Sequence, residues 1–149
     1  MNINIKRILC PMDFSPSSEY AMRYAVAIAE QHEAVIELLH ITEPSAYEHD
    51  TPLEGDATSE TFSQELYKLL GDIASSVDEN VQIETKLISG IAYAEIINRA
   101  KNWPADLIVV GTHGRTGMKH MLIGSVAEKV VRLATCPVCT VRHPDYVID

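Results

Sequence analysis

The sequence predicts an α/β fold with an open five-stranded parallel sheet and helices on both faces. Short apolar runs typical of strands alternate with patterns of helical period along the whole chain, and this alternation is characteristic of βαβ units. The run Leu107–Val110 (LIVV) is apolar without interruption, as a central parallel strand is. A length of 149 residues is sufficient for one core, so we expect a single domain over residues 1–149.

The first part of the chain contains two strands, a helix and an acidic connection. Lys6–Cys10 is the first predicted strand, and in the helix that follows Ser15 has the position of the N-cap and Pro16 that of the first helical residue. Val35–Thr42 is the second predicted strand. Residues 43–60 contain two prolines and six acids but no lysine or arginine. We expect a solvated connection there, with a lid or a partner surface as the alternative.

Three further strands and three helices complete the alternation. Strands are predicted at Val81–Ile88, where apolar and polar residues alternate, at Leu107–Val110 and at Val138–Val141, with a helix at Ile91–Asn102. The helix before the third strand places these apolar residues on one face: Phe62, Leu66, Leu69, Leu70, Ile73 and Val77. The helix before the fifth strand does so with Val126, Ala127, Val130, Leu133 and Ala134.

Composition and charge exclude several classes of protein. The formal net charge is −9, and nucleic-acid binding needs clustered lysine and arginine, so we expect no nucleic-acid partner. No run approaches 18 apolar residues, and residues 1–12 lack the pattern of a signal peptide, so we expect no membrane association. Three cysteines, Cys10, Cys136 and Cys139, are too few for a disulfide framework. These features predict a cytoplasmic protein.

Cys136 and Cys139 form a CxxC pattern, which is compatible with a redox pair or with half a zinc site. A redox CxxC lies at a helix N-terminus, where the thiol pKa is lowered, whereas this pair enters an apolar strand. In an extended chain, residues three apart are separated by roughly 10 Å, too far for a disulfide. No second CxxC or histidine pair completes a zinc site. We therefore expect ordinary thiols.

The segment after the fourth strand has the composition of a phosphate site. Gly111, Gly114 and Gly117 follow the buried strand, and the pair Gly124–Ser125 precedes the last helix. Glycine lets a ligand approach the main chain, and the N–H groups at a helix start attract anions. Ser125 is expected either to cap the helix or to donate its hydroxyl to an anion. Each hydrogen bond to a charged oxygen contributes roughly 1.5–3 kcal/mol, so four or five would hold a triphosphate.

The charge distribution agrees with an anion site in this segment. Residues 107–127 form a 21-residue window without Asp or Glu, in which a small anion meets the least repulsion. The window contains two cations and two histidines: Arg115, Lys119, His113 and His120. An ordinary strand-to-helix loop remains the alternative, because such loops often carry glycines. The spacing fits neither a P-loop (GxxxxGK[ST]) nor a dinucleotide fingerprint (GxGxxG).

Asp13 follows the first strand, and the strand order determines what it can contact. In open α/β sheets, ligands bind beyond the carboxyl ends of the strands, where neighbouring crossovers go to opposite faces. With the Rossmann-like strand order 3-2-1-4-5, Asp13 lies beside the Gly111–Gly117 loop. It would then accept hydrogen bonds from an adenine amine or a ribose hydroxyl, or bind Mg²⁺ together with phosphates. Asp13 has a structural role as the alternative: it would end the strand and assist the cap of the following helix.

The glycine spacing resembles that of a known family. Gly111 and Gly114, followed by nine residues and then Gly124–Ser125, are similar to the G-2x-G-9x-G(S/T) signature of ATP-binding universal stress proteins. The resemblance covers essentially the whole chain, with residues 43–60 as the variable part. It implies an ATP pocket in which Asp13 and the backbone near Ile41 contact adenine and ribose. The resemblance implies that Gly111, Gly114, Gly124 and Ser125 line the phosphates and that Mg²⁺ binds with the nucleotide. We add Arg115 and Gly117 of the same loop to the candidate site.

Three function classes follow from these observations. The first is an ATP-binding stress-response protein with at most slow hydrolysis. The second is a true ATPase or phosphotransferase, for which Asp13, His113 and His120 are candidate bases, although none stands out. The third is a nucleotide-free dimeric module whose acidic connection recruits a protein partner. The family resemblance implies a homodimer through the last strand, and residues 138–141 are expected to form a short apolar edge that is open to strand addition.

Overall fold

The computed structural model describes residues 1–44, 59–77, 79–114 and 122–145. The strands in this part of the chain are β1 (Arg7–Pro11), β2 (Val35–Thr42), β3 (Gln82–Ser89), β4 (Leu107–Gly111) and β5 (Val138–Val141). The helices that we describe are α1 (Pro16–His32), α2 (Ser59–Ser75), α3 (Ala92–Asn102) and α4 (Ser125–Leu133). Residues 45–58, most of the expected acidic connection, lie outside the described residues.

The five strands form one sheet in the order β3-β2-β1-β4-β5, and every neighbouring pair is parallel. This arrangement confirms the predicted α/β fold and the predicted strand order. β1 lies at the centre of the sheet. β2 and β3 follow on one side of it, and the chain then crosses from β3 to β4 on the other side, so the direction in which strands are added reverses between the neighbouring strands β1 and β4. The carboxyl ends of these two strands therefore form the switch point of the sheet.

Side chains alternate between the two faces of the sheet and form two apolar layers. On β1, Ile8 and Cys10 belong to one layer and Leu9 to the other. The layer of Ile8 is covered by residues of α1 and α2, among them Ala21, Ala25, Ala29 and Leu70. The layer of Leu9 is covered by residues of α3 and α4, namely Ile96, Ala100, Ala127 and Val130. Helices thus cover both faces, as the sequence predicts.

Three strands differ by one residue from the predictions: β1 and β3 are shifted by one residue, so that β1 includes Pro11, and β4 ends at Gly111 rather than Val110. β1 begins at Arg7 rather than Lys6, where the Asp106 Oδ2 atom accepts the N–H groups of Lys6 and Arg7 at 2.8 and 2.9 Å. A side chain that lies 99 residues away in the sequence from Arg7 therefore holds the entry to this strand. β3 comprises Gln82–Ser89 rather than Val81–Ile88, because these eight residues pair with β2.

Some predicted helical positions were also wrong. α2 begins at Ser59, inside the expected 43–60 connection. Leu69, Val126 and Leu133 were expected on buried faces, but they are 43%, 36% and 49% exposed. Each helix packs on one face of the sheet only, so burial is limited to the narrow stripe that faces the strands.

The three cysteines lie within strands or close to one: Cys10 in β1, Cys139 in β5 and Cys136 two residues before β5. All three are free thiols. Burial raises the pKa of the Cys136 and Cys139 thiols, whereas a redox cysteine needs a lowered pKa. Among the described residues, no three His, Cys, Asp or Glu side chains are grouped as a metal site. No helix in that same part of the chain is long and apolar enough to cross a bilayer.

Candidate functional site

A pocket of about 320 Å³ opens at the carboxyl ends of β1, β2 and β4, a volume in the range of roughly 300–1,000 Å³ that ligand sites have. It lies at the switch point between β1 and β4, where ligands bind in open α/β sheets. Six of the predicted site residues line it: Asp13, Ile41, Gly111, Gly114, Gly124 and Ser125. The other two, Arg115 and Gly117, lie outside the described residues, as do Lys119 and His120.

Asp13 takes part in the cap of α1 and lines the pocket as well. Its Oδ1 atom accepts the N–H of Ser15 at 2.9 Å, and its own N–H donates to the Ser18 hydroxyl at 3.3 Å. Ser15 caps α1, as predicted, because its hydroxyl accepts the N–H of Ser18 at 3.1 Å. Phe14 turns the chain between them with a φ of 65°, which non-glycine residues rarely adopt. The two roles that we considered for Asp13 are therefore compatible.

Two glycines of the predicted signature allow close approaches that a side chain would prevent. A Cβ atom at Gly114 would lie 2.9 Å from the Asp13 Oδ2 atom. A Cβ atom at Gly111 would lie 2.7 Å from the Ser17 hydroxyl and 2.9 Å from its carbonyl oxygen. Gly111 therefore allows β4 to pack against the start of α1, and Gly114 leaves room for the Asp13 carboxylate at the pocket wall.

The start of α4 corrects one of the two predictions for Ser125. The N-cap of this helix is Gly124, whose N–H donates to the Thr112 carbonyl, and Ser125 is the first helical residue. The first intrahelical hydrogen bond joins the Glu128 N–H to the Gly124 carbonyl at 3.0 Å. The N–H groups of Ser125, Val126 and Ala127 precede that bond, and all three residues line the pocket. Partial positive charge from the helix dipole is therefore directed at this end of the pocket.

The lining that β2 and α3 contribute is mainly apolar and is called the apolar end of the pocket. The sequence analysis identified only one of its residues, Ile41. Leu39 and Ile41 of β2 contribute to it, together with Val110 of β4. Ala92 and Ile96 of α3 form the facing side. The sequence did contain a signal for Ala92 and Ile96. Helix α3 begins beyond the carboxyl end of β3, where ligands bind, and residues four apart lie on one helical face.

Two buried histidines fix the loops around the pocket. The His40 Nδ1 atom donates to the Met12 carbonyl at 2.7 Å, and the His40 ring packs on Phe14 with 4.7 Å between ring centroids. The His113 Nδ1 atom lies 2.9 Å from the Thr112 hydroxyl, and the His113 N–H donates to the Ser17 hydroxyl at 3.4 Å. His40 thus holds the turn after β1, and His113 holds the loop after β4. The sequence analysis did not predict a role for His40.

The fold and the pocket together define the class of the protein: an α/β domain with a glycine-lined pocket at its switch point. A comparison with family models identifies the family. Residues 4–142 match the universal stress protein family, and the chain belongs to it. Universal stress protein MJ0531 of Methanocaldococcus jannaschii is 35% identical over 142 residues, which cover 93% of this chain and 83% of that protein.

Solved structures of the same family share the fold. Protein MJ0577 of Methanocaldococcus jannaschii superposes with a TM-score of 0.79 at 27% identity, over 95% of this chain and 98% of that one. A universal stress protein solved in complex with cAMP superposes with a TM-score of 0.67 over 93% of this chain and 97% of that one. Because its identity is 23%, that likeness concerns the fold alone.

Proposed function

We propose that this protein binds ATP in the pocket at the switch point and acts as a nucleotide-dependent regulator of a stress response. The observation that supports this best is that one pocket combines an apolar end with a glycine-lined end at a helix N-terminus. A nucleotide has the same polarity along its length, with an apolar base at one end and phosphates at the other. The chain also carries the full G-2x-G-9x-G(S/T) signature from Gly111 to Ser125.

The glycine-lined end is suited to the phosphates. The N–H groups of Ser125, Val126 and Ala127 supply hydrogen-bond donors to charged oxygens, each worth roughly 1.5–3 kcal/mol. Arg115 and Gly117 are proposed to add a cation and a further close approach. These donors explain how a chain with a net charge of −9 binds a small anion while it repels nucleic-acid polymers.

The apolar end is suited to the base and the ribose. Ile41 and Ile96 provide apolar contact, and the backbone near Ile41 provides hydrogen-bonding groups at the end of β2. Asp13 is proposed to accept hydrogen bonds from the ribose or the adenine amine. The fold is compatible with this class of ligand, because a universal stress protein that shares it was solved in complex with cAMP, an adenine nucleotide.

Mg²⁺ is proposed to bind together with the nucleotide. This ion is usually held by one or two carboxylates plus phosphates and water, and Asp13 supplies a carboxylate at the pocket wall beside Gly114. When bound, Mg²⁺ would neutralise phosphate charge. The Oδ1 atom of Asp13 is already held by the Ser15 N–H, so the carboxylate is oriented before the ligand arrives.

Dimerisation and slow turnover complete the proposal. β5 is an edge strand, which supports a homodimer through residues 138–141. Hydrolysis is proposed to be slow at most, because none of the candidate bases, Asp13, His113 and His120, stands out as a base for water, and the Nδ1 atom of His113 already contacts the Thr112 hydroxyl. The cytoplasmic location remains a prediction from the sequence.

The direct test is to denature the freshly purified protein and identify any released nucleotide by chromatography and mass spectrometry. We expect ATP at close to one equivalent per chain. Release of ADP, together with steady phosphate production from added ATP, would favour the ATPase alternative. No released nucleotide, together with no binding of added ATP in the presence of Mg²⁺, would favour the nucleotide-free module.

A further inference from the structure

Helix α3 and strand β2 also contact each other next to the apolar end of the pocket, through Arg99 and Glu37. Ala92 and Ile96 line the pocket, and Arg99 continues the same helical stripe at the i+7 position. Glu37 lies on the same face of β2 as the pocket-lining Leu39, because residues two apart in a strand share a face. The stripe and the strand face that form the pocket therefore also carry Arg99 and Glu37.

Glu37 and Arg99 form a two-pronged ion pair at this contact. The Arg99 Nε atom donates to Glu37 Oε1 at 2.6 Å, and an Arg99 terminal nitrogen donates to Glu37 Oε2 at 2.7 Å. The Glu37 side chain is only 3% exposed and that of Arg99 is 22% exposed. These hydrogen bonds raise the pKa of the Arg99 guanidinium. Two parallel bonds fix the rotation and the axial position of a helix, which one contact cannot do.

A second carboxylate, directly after the end of the same strand, holds the beginning of α3. The N-cap of this helix is Ile91, which supplies no side-chain cap. The Glu43 Oε1 atom, one residue beyond the end of β2, accepts the N–H of Ala92 at 2.8 Å. A carboxylate at this position also interacts favourably with the helix dipole. The pocket-lining stripe of α3 is thus anchored to β2 at both ends, by Glu43 at Ala92 and by Glu37 at Arg99.

The apolar packing of α3 is not directional, so it does not by itself fix the position of the helix. Its buried residues are Ile96 and Ala100, and Tyr93 packs, partly buried, against the same cluster. We propose that Glu37 and Glu43 are positioning residues that hold α3 on β2 and so set the width of the apolar end of the pocket, an inference that rests on the proposed function for the identity of the ligand. When α3 leaves this position in a fraction of molecules, the apparent Kd rises in inverse proportion to the fraction that remains competent.

The main test separates positioning from stability. In the double variant Glu37→Met/Arg99→Met, apolar side chains replace the buried pair, which leaves protein stability about unchanged or higher. We expect the melting temperature to be retained, because α3 stays packed on β2. We expect the Kd for ATP to rise roughly tenfold, because methionines do not fix the rotation of α3 and only about one molecule in ten is then competent. We also expect faster amide hydrogen exchange in α3 of the ligand-free protein. The matched control Arg132→Gln breaks the exposed pair with Glu128 and should change neither quantity.

A second pair of variants tests the other anchor. Glu43→Ala removes the acceptor for the Ala92 N–H and should raise the Kd for ATP and the exchange rate of the first α3 amides. Glu43→Gln retains a carbonyl oxygen at the same place and should restore most of both quantities. A general loss of stability would not be reversed in this way by one retained oxygen.

The outcomes distinguish failure of the inference from failure of the proposed function. A wild-type protein that binds no ATP counts against the proposed function, and hydrogen exchange in α3 then decides the positioning role by itself. If the double variant and Glu43→Ala both bind ATP as wild type does and protect the α3 amides equally well, the inference is wrong.

Discussion

At the scale of the residue, the shape of the pocket depends on two positions without a side chain, Gly111 and Gly114, as well as on the side chains that line it. Gly114 brings the main chain close to the Asp13 carboxylate, and Gly111 admits the Ser17 hydroxyl and carbonyl. Glycine occurs elsewhere in the chain without such a reason, since a Cβ atom at Gly71 would meet no atom within 4 Å. The spacing of glycines predicts a site, and only the contacts separate the glycines that matter from those that do not.

Replacement of Gly114 by valine tests this distinction. The Cβ atom would lie 2.9 Å from the Asp13 Oδ2 atom, so the carboxylate and the loop must move apart. We expect ATP affinity to fall by roughly two orders of magnitude, as loss of two hydrogen bonds to charged groups implies, with an unchanged circular dichroism spectrum. Gly71→Ala is the control and should gain about 0.5–1 kcal/mol of stability without a change in affinity. Unchanged affinity in the valine variant would mean that the loop is structural only.

Cys10 provides a test of burial that is independent of any ligand. It is fully buried in β1, and burial raises the pKa of its thiol from 9.0 to about 12. Between pH 9 and pH 12 the folded state keeps a proton that the unfolded state loses, so the free energy of unfolding falls as the pH rises. We expect a shallower fall in Cys10→Ala, measured by urea denaturation at pH 8 and pH 10. Identical pH dependence in the two proteins would contradict the account.

At the scale of the element, three helices begin at the pocket edge, and each is capped differently. Ser15 caps α1 from within its own segment, Glu43 caps α3 from the end of β2, and Gly124 begins α4 without a side-chain cap. A helix start needs acceptors for its first N–H groups. At α4, a bound anion is the acceptor that the proposal supplies.

The cap of α1 gives a prediction at this scale. Ser15→Ala removes the hydroxyl that accepts the Ser18 N–H, and we expect a loss of about 1 kcal/mol in the free energy of unfolding. For a chain of this size that loss lowers the melting temperature by about 2–4 °C. Ser76→Ala, an exposed serine after α2, is the control and should change the free energy by less than about 0.5 kcal/mol. Equal losses in the two variants would show that Ser15 is not a cap.

The elements also show what can be read from sequence. The apolar run of β4 and the serine-proline start of α1 are local signals, and the structure confirms both. The start of β1 depends on Asp106, and the position of α3 depends on Glu43 and Glu37. These contacts join residues between 49 and 99 positions apart. Local periodicity contains no information on such pairs, so the anchors of the pocket wall could not be predicted. The six pocket residues could be predicted, because they follow from strand ends, the glycine spacing and the family resemblance.

At the scale of the whole molecule, the sheet has two unlike edges. β3 has eight residues with alternating polarity, whereas β5 has four residues that are mostly apolar. The carbonyl of Pro137, just before β5, accepts the N–H of Ile108, and the carbonyl of Val141 in β5 accepts the N–H of Thr112, just after β4. Since hydrogen-bonding directions alternate along a strand, Thr140 directs its N–H and carbonyl away from β4. The polar main-chain groups of this residue therefore face the outer edge of the described sheet, which is where the proposed second chain would pair.

The dimer proposed for this edge has a direct test. We expect light scattering to give a mass near twice 16.5 kDa. Thr140→Pro removes the outward N–H but none of the hydrogen bonds to β4, so it should give a folded monomer. Thr140→Val keeps the N–H and should remain dimeric. A wild-type monomer, or a Thr140→Pro variant that is still dimeric, would rule out pairing through β5.

The central claim is that a chain with a net charge of −9 binds a nucleotide in the pocket at its switch point. Isothermal titration calorimetry of the wild-type protein, freed of nucleotide and titrated with ATP in the presence of Mg²⁺, tests this claim most directly. The account predicts saturable binding at one site per chain. A titration without binding heat at several temperatures, by a protein that also carries no nucleotide when purified, would contradict it.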